Sequence, residues 1–298
     1  MTTDALPVMR ATGGRKWLRG HRGQERAVWA LVFLVLVGLS VVLLFPLAWM
    51  LSTSFKRASD VFTIPIHWFP HPITWSNYPE AIHAFPFWTF LANTVVYAVS
   101  DTILVVISSA IAAYAFARLR WRGRDVIFIL MLATMMIPFP ATMIPTYLIF
   151  KWLGWINSLK PLILPDITAN PFFVFLLRQF FLTIPMDLSE AAFVDGAGHL
   201  RIFSQIVLPL TKPALLVVAI FTVVADWNNF LGPLIYLNDP GKYTLALGLQ
   251  WFQGSQWHGS HYELMMAAAM LMTLPMVILF FVAQKYFVQG ITLTGIKG

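Results

Sequence analysis

The sequence contains no cysteine, and charged residues are scarce. With no cysteine among its 298 residues, the chain cannot form a disulfide, a thiolate metal site or a thiol nucleophile. Asp, Glu, Lys and Arg together make up 11% of the residues, whereas a soluble domain averages about 25%. Apolar residues make up 58% of the chain, and the mean hydropathy is +0.72. This composition predicts a chain that is surrounded mainly by lipid.

Motifs of catalysis and metal binding are also missing. The sequence has no HExxH and no GxSxG pattern, and all seven histidines lie in predicted tails or loops. His258 and His261 have only Glu263 nearby, which is not a convincing third ligand, so no zinc site is predicted. The glycines before Lys297 do not form a phosphate-binding loop, because no Ser or Thr follows that lysine. We therefore expect no metal, no nucleotide site and no enzymatic activity in this chain.

Six apolar segments follow one another along the chain, at residues 28–50, 88–117, 126–150, 162–181, 214–237 and 264–287. Each has about the 20 residues that a helix needs to cross roughly 30 Å of hydrocarbon. Backbone groups in lipid must be paired within the segment, which favours helices. The first segment exceeds the roughly 7–15 apolar residues of a signal peptide and indicates a retained helix. The predicted fold class is an all-α membrane protein with six transmembrane helices.

The basic residues predict the orientation of these helices. Fifteen of the 20 Lys and Arg residues fall on the side of the N-terminus, and the other five fall on the opposite side. Because positive residues favour the cytoplasmic side, both termini are expected to be cytoplasmic in a multi-pass protein of the cell inner (plasma) membrane. Residues 1–27 then form a basic cytoplasmic tail, and residues 28–298 form the membrane domain. This domain includes a cytoplasmic loop at 183–213 and an outer loop at 238–262.

Two features inside the spans concern packing. Ser109, Ala113 and Ala117 recur at every fourth residue of the second span, a spacing that lets two helices approach closely in lipid. Pro138, Pro140 and Pro145 in the third span remove backbone donors and predict a bend or break. Such a bend marks either a gate or an ordinary kink, and both interpretations stay open.

The cytoplasmic loop has the pattern of two short helices. Asp187 is positioned to cap the first helix, with Glu190 completing a capping box, and Gly196 with Gly198 permits a tight turn. The second helix is predicted to end at Pro209, with an apolar side formed by Leu200, Phe203, Ile206 and Val207. A helix–turn–helix between two spans is suited to docking against another protein.

This loop resembles the EAA loop of ABC-importer permeases at every position of the motif: Glu190-Ala191-Ala192, three residues, Gly196, nine residues, Ile206, one residue and Leu208-Pro209. The resemblance implies a coupling helix that docks in a cleft of a separate ATPase subunit. It implies a polar contact for Glu190, close approach at the two alanines and a turn at Gly196. The ATPase-coupling residues expected from it are Glu190, Ala191, Ala192, Asp195, Gly196, Ile206, Leu208 and Pro209.

Further matches extend the resemblance over residues 28–298. Asn93-Thr94, Gly123-Arg124 and Trp227-Asn228-Asn229-Phe230 are similar to carbohydrate-uptake permeases, and the C-terminal tail is similar to the G-type subunit of maltose-type transporters. The resemblance implies a type I ABC importer permease fold with no cofactor bound by this chain; ATP and Mg are expected on the partner ATPase. The implied partners are a second homologous permease, two copies of an ABC ATPase, an extracytoplasmic solute-binding protein and the lipid bilayer, without nucleic acid.

Two groups of polar and aromatic residues are candidates for contact with substrate or partner. Asp226, Trp227, Asn228 and Asn229 form a polar cluster in the fifth span. Because a membrane Asp avoids lipid, this cluster either lines the translocation path or holds helices together through hydrogen bonds. For the outer loop, the resemblance implies contact with a binding protein through its aromatic residues Tyr243, Trp251, Phe252 and Trp257.

The predicted function is that of a transmembrane permease subunit of an ATP-driven, binding-protein-dependent importer of a sugar or oligosaccharide. One alternative is an ABC permease for another solute, such as a glycerophosphodiester or a polyol. A second alternative is an ion-coupled secondary transporter that uses Asp101 and Asp226. The second alternative leaves the cytoplasmic loop unexplained, and the sequence shows no internal repeat of the kind many such transporters carry.

Overall fold

The computed structural model describes residues 14–255 and 261–295, and these ranges contain helices and turns but no β-strand. The all-α prediction is therefore confirmed. The α-helices are α1 Gly14–Ser54, α2 Asn77–Ala84, α3 Phe87–Arg118, α4 Arg124–Thr134, α5 Phe139–Trp152, α6 Lys160–Ile163, α7 Pro171–Thr183, α8 Asp187–Val194, α9 His199–Ile202, α10 Leu208–Leu210, α11 Lys212–Trp227, α12 Leu231–Tyr236, α13 Leu245–Ser255 and α14 Tyr262–Gly295.

Four segments of the described residues are single spans by length and apolarity: Val28–Ser54, Phe87–Arg118, Lys160–Thr183 and Tyr262–Gln284. Two further pairs of helices pass the same test only when each pair is taken together. They are Arg124–Thr134 with Phe139–Trp152 and His199–Leu210 with Lys212–Trp227. By length and composition, the described residues thus contain four candidate spans, or up to six if each bent pair is one span. The side on which the termini lie stays a prediction from the basic residues.

The third predicted span is broken at its prolines. Helix α4 ends at Thr134, α5 begins at Phe139, and the two axes are bent by 97°. Pro138 lies in the break with extended backbone (φ −69°, ψ 141°). A proline has no N–H to donate and disfavours helix in the residue before it, which explains the interruption. The expectation of a bend or break is confirmed, whereas a continuous helix over 126–150 is wrong.

The fifth predicted span is also discontinuous. Helix α11 ends at Trp227 and α12 begins only at Leu231, so α11 alone covers about 24 Å at 1.5 Å per residue. Amide side chains occupy the gap: Asn228 Nδ2 donates to the carbonyl of Val224 (2.7 Å), and Asn229 Oδ1 accepts from Gly232 N (3.1 Å). Such side-chain bonds offer the backbone an alternative to helix and explain the interruption.

Helix α3 is the central element of the bundle. Its Ser109, Ala113 and Ala117 are buried, and α3 packs closely against α7 and α11. The small side chains therefore do allow the close helix contact that their spacing predicts. A shared apolar core around them includes Leu177 of α7 and Val218 of α11, both with 0% exposure. Helix α1, by contrast, contacts mainly α14 and leaves its apolar side chains exposed.

Candidate functional site

The loop at 183–213, predicted to be cytoplasmic, contains the two helices expected of it, α8 and α9, joined by a turn at Gly196. Gly196 has φ +81°, a left-handed conformation that glycine adopts without steric cost. The N–H of Gly196 bonds the carbonyl of Phe193 (3.0 Å), and the N–H of Ala197 bonds the carbonyl of Ala192 (2.8 Å). This pair of bonds is a Schellman motif that closes α8. The spacing of three residues between Ala192 and Gly196 thus has a direct structural cause.

The predicted capping box is not formed. Helix α8 starts at Asp187, its N-cap is Met186, and no side chain bonds the cap position. The amides of Ser189 and Glu190 bond the carbonyl of Met186 instead (2.8 and 3.0 Å). Because Asp187 is already inside the first turn, its carboxylate cannot act as the N-cap acceptor. The prediction of a cap at Asp187 was one residue out of register and is wrong.

The second half of the loop also differs from its prediction. A π-helical turn at Phe203–Val207 lies between α9 and α10, and the N–H of Leu208 bonds the carbonyl of Phe203, five residues earlier. Since Pro209 has no N–H for the Gln205 carbonyl, the turn widens here. The helical path continues to Leu210 rather than ending at Pro209.

The side chains of this half of the loop differ widely in exposure. Ile202 and Val207 are fully buried, whereas Leu200 is 79% exposed. A helical spacing of 3.6 residues does not hold across a π turn, because that turn contains an additional residue. The four residues predicted to form one apolar side therefore differ in exposure, and Leu200 lies on the outer surface of the loop.

The surface of the loop combines apolar side chains with a carboxylate. Leu188, Phe193, Val194 and Leu200 are all exposed, Val194 at 89%. The Glu190 side chain beside them is exposed and forms no hydrogen bond or ion pair within the described part of the chain. A group of exposed apolar side chains with polar residues at its edge is typical of a protein interaction surface.

Arg118 ties this loop to the membrane helices. It lies at the end of α3 and is 9% exposed, and its Nη2 donates to the carbonyls of Phe181 (2.7 Å) and Ile184 (2.6 Å). These carbonyls lie at the C-terminal end of α7 and just after it, where a cation is favourable. A second contact joins Tyr114 of α3 to Phe203, with ring centroids 5.0 Å apart. The sequence did not predict these bonds of Arg118, although a basic residue at a helix end preceding a loop was the available clue.

The polar cluster at residues 226–229 divides into two roles. Trp227 is buried and donates from Nε1 to the carbonyl of Met272 (3.0 Å), which attaches α11 to α14. Asn228 closes the end of its own helix. Asp226 and Asn229, however, line a cavity of about 530 Å³. Asn229 also donates to the hydroxyl of Tyr97 at 2.9 Å.

The cavity lies between the broken helices. Its wall is formed by α5, the segment from α6 to Pro165–Asp166, and the interruption between α11 and α12. Both interruptions described above therefore border one space. Its polar groups come from side chains of Tyr97, Thr142, Thr146, Asp166, Asp226, Asn229 and Tyr236.

The outer loop is held firmly against α3. Asn93 Nδ2 donates to the carbonyls of Gly241 (3.1 Å) and Tyr243 (3.0 Å). Tyr243 and Trp251 are half-buried. Phe252 is 2% exposed, and its ring centroid lies 5.3 Å from that of Phe85. Phe252 can therefore contact a partner protein only if the loop opens.

Two sequence features at the end of the outer loop can also be placed. Trp257 and His258 lie outside the described residues. His261 Nδ1 lies 2.9 Å from Glu263 Oε1. No group of three or more metal-ligating side chains occurs in the parts of the chain that the structure describes.

A helical bundle with broken spans and an exposed helix–turn–helix is typical of a multi-pass membrane protein that docks a partner. Residues 105–293 match the family model described as the binding-protein-dependent transport system inner membrane component. The chain belongs to this family and is an ABC-importer permease subunit of the inner membrane. The family membership confirms the predicted class, and the ion-coupled secondary transporter is set aside.

Individual relatives agree with this assignment. The arabinooligosaccharide transport permease AraQ of Halalkalibacterium halodurans is 33% identical over 87% of this chain and 93% of its own. The diacetylchitobiose uptake permease NgcG of Streptomyces coelicolor is 32% identical over 91% of this chain and 89% of its own. Among solved structures, a chain of a bacterial ABC importer of the acidic polysaccharide alginate has a TM-score of 0.78 and 28% identity, covering 88% of this chain and 98% of its own.

Proposed function

We propose that this subunit imports a sugar or oligosaccharide by alternating access, driven by ATP hydrolysis on a separate subunit. The observation that carries the proposal is the cytoplasmic loop, in which Glu190, Ala192 and Gly196 form a rigid exposed helix and turn. The sugar substrate is supported by the relatives, whose names specify arabinooligosaccharides and diacetylchitobiose. A glycerophosphodiester or polyol remains the alternative within the same class.

The proposed assembly contains a second homologous permease, two copies of an ABC ATPase and an extracytoplasmic solute-binding protein. The structural relative belongs to an ABC transporter, and a more distant one is described in complex with a periplasmic protein loaded with an alginate pentasaccharide. ATP and Mg bind the ATPase in this proposal, and this chain holds no cofactor. Its exposed apolar α1 is suited to contact with lipid or with the second permease.

Coupling works through the loop in this proposal. The apolar surface around Glu190 seats in a cleft of the ATPase, and closure of the ATPase dimer moves the loop. Because Arg118 links the loop to the end of α3, and α3 is packed against α7 and α11, a displacement of the loop is passed to the central helices as a rigid unit. The cavity then opens alternately to the two sides.

The two tentative groups of site residues fit this scheme differently. Asp226 and Asn229 lie in the cavity wall and are assigned to the translocation path, whereas Trp227 and Asn228 support the helices that carry them. In the outer loop, Tyr243 and Trp251 are assigned to the binding-protein surface. Phe252 is assigned to the packing beneath that surface.

The test is mild-detergent affinity purification of the tagged chain from its native membrane, with mass spectrometry of the proteins that accompany it. Wild type is expected to retain an ATPase and a second permease. Glu190→Lys is expected to lose most of the ATPase while keeping the second permease, because it reverses the charge of the exposed carboxylate. Asp125→Lys serves as the matched control, since Asp125 is also exposed but lies outside the loop at 183–213. An ATPase recovered equally with both variants contradicts the coupling role.

A further inference from the structure

A second pocket lies at the turn that joins α3 to α4. Its volume is about 450 Å³, and its lining residues are Arg120, Trp121, Gly123, Arg124, Asp125 and Val126. All six belong to the turn itself or to the first residues of α4. None of them lines the cavity between the broken helices, so this pocket is separate from the proposed translocation path.

The lining of this pocket carries a positive charge that no acid neutralises. The Arg124 guanidinium bonds the carboxylate of Asp125 (Nε to Oδ1, 2.9 Å) and reaches the carbonyl of Leu119 (3.4 Å). Arg120, by contrast, is exposed and forms no hydrogen bond or ion pair with any described residue. A free guanidinium is a strong donor to phosphate oxygens. The pocket therefore offers an anionic ligand one unpaired cation.

The pocket continues into an exposed apolar face of α4. Val126 lines the pocket, and Ile129 and Leu130 follow it at the three- and four-residue spacing that places side chains on one face of a helix. The three side chains are 61–64% exposed. Helix α4 is part of a candidate membrane span when it is taken together with α5. This apolar face is therefore suited to contact with hydrocarbon chains.

Trp121 adds an aromatic side chain to the same pocket. Its indole is 38% exposed, and its ring centroid lies 5.8 Å from that of Phe116. Tryptophan is enriched where a membrane meets water, because its ring is apolar and its N–H is polar. The pocket thus combines a free cation, an interfacial aromatic residue and an apolar helix face. A ligand that matches all three features has a negative headgroup and a hydrocarbon chain.

We propose that this pocket binds an anionic phospholipid of the surrounding membrane, with the phosphate at Arg120 and an acyl chain along Val126, Ile129 and Leu130. A zwitterionic phospholipid has the same chains but no net charge, so it gains less from the unpaired guanidinium. A soluble phosphate ester meets the guanidinium but has no chain for the apolar face. The ligand of this site is a component of the bilayer and not the transported solute, so the site is additional to the proposed import function.

The test is photo-cross-linking of lipid to the assembled transporter in nanodiscs. Two probes carry the same diazirine-bearing acyl chain, one on phosphatidylglycerol and one on phosphatidylcholine, and each is added at low mole fraction to a phosphatidylcholine bilayer. After digestion with trypsin, mass spectrometry measures the probe attached to the α4 peptide that begins at Asp125. Dividing the two yields removes the reactivity of the diazirine, so that the ratio reports the preference of this site for the anionic headgroup.

Wild type is expected to favour the phosphatidylglycerol probe by at least about fivefold, the contribution of one basic side chain near a membrane surface. Arg120→Gln is expected to bring the ratio to within about twofold of one, whereas Arg120→Lys keeps most of the preference because it keeps the charge. Arg122→Gln is the matched control, since it removes the same charge from the same turn but Arg122 does not line the pocket. This control is expected to keep the ratio above about threefold.

Three results overturn the proposal. Equal yields of the two probes in wild type show that the site does not distinguish an anionic lipid. Equal losses in Arg120→Gln and Arg122→Gln show a general attraction to the basic turn rather than a site at the pocket. Millimolar glycerol 3-phosphate at constant ionic strength is expected to leave the ratio unchanged, and a preference that it abolishes identifies a site for soluble phosphate esters instead of lipid.

Discussion

The turn at Gly196 allows the role of the loop to be tested by conformation alone. Gly196 has φ +81°, and a Cβ built on it meets no atom within 4 Å. Gly196→Ala therefore introduces no clash, and its whole effect comes from holding an L-residue in the left-handed region. That conformation costs about 1–2 kcal/mol for a residue other than Gly, Asn or Asp. A free-energy change of this size corresponds to a factor of about 5–30 in an equilibrium.

Gly198 provides a matched control two residues away. It also has no atom within 4 Å of a built Cβ, but its backbone is extended (φ −79°, ψ 168°), which any L-residue adopts readily. Gly198→Ala is therefore expected to be nearly neutral. Gly196→Asn is expected to fall between wild type and Gly196→Ala, because Asn tolerates left-handed backbone better than other residues with a Cβ.

The assay is the dissociation constant between the permease pair in nanodiscs and the purified ATPase identified by affinity purification. The free loop of Gly196→Ala is expected to leave the left-handed turn, which binding then has to restore, so this constant is expected to rise by about 5–30-fold, with normal membrane levels of the variant. Gly198→Ala is expected to stay within about twofold of wild type. If both alanine variants bind the ATPase equally, the Schellman turn is not part of the docking geometry and the reasoning is refuted.

Two further predictions concern stability in detergent. Gly248 of α13 faces α3, and a Cβ built on it overlaps the ring of Phe90. Gly248→Ala is therefore expected to lower the free energy of unfolding by about 1–3 kcal/mol. Gly38→Ala is the control: its Cβ meets no atom within 4 Å, so the melting temperature should not fall. Lys56 is 1% exposed, and burial lowers its pKa despite the opposing influence of Asp60. The folded state therefore disfavours the ammonium, and stability is expected to rise with pH through the window below the unfolded pKa of about 10.4. Melting curves from pH 8 to pH 10 should show a steeper rise for wild type than for Lys56→Met; parallel curves contradict this assignment.

The sequence predicts best where one local pattern has one structural cause. The small residues of α3 are buried against other helices, because their four-residue spacing places them on one face. The proline-rich third span is broken where Pro138 removes a donor. The turn at Gly196 follows from a glycine placed after a short helix. In each case the decisive interactions lie within a few residues, and the pattern can be seen without knowledge of the fold.

Prediction failed where competing local choices differ by little energy. The N-cap of α8 is Met186 rather than its neighbour Asp187, because the amides of Ser189 and Glu190 bond the carbonyl of Met186. The π turn before Pro209 adds one residue to the helical repeat. A pattern based on 3.6 residues per turn cannot locate such an insertion, so the π turn was not predicted.

The buried aspartates show what only the tertiary structure supplies. Asp101 and Asp226 each stand out in sequence as carboxyls within apolar segments, but nothing local relates either one to the other or to Asp166. Bringing them near one another requires α3 to be central and the chain near Asp166 to turn back against it, where Ser108 donates to the carbonyl of Asp166 at 2.8 Å. Since a buried carboxyl gains or loses most of its favourable interactions through such neighbours, its role depends on this convergence. Asp226 is therefore understood better as one member of the cavity wall than as one member of the 226–229 segment that drew attention to it.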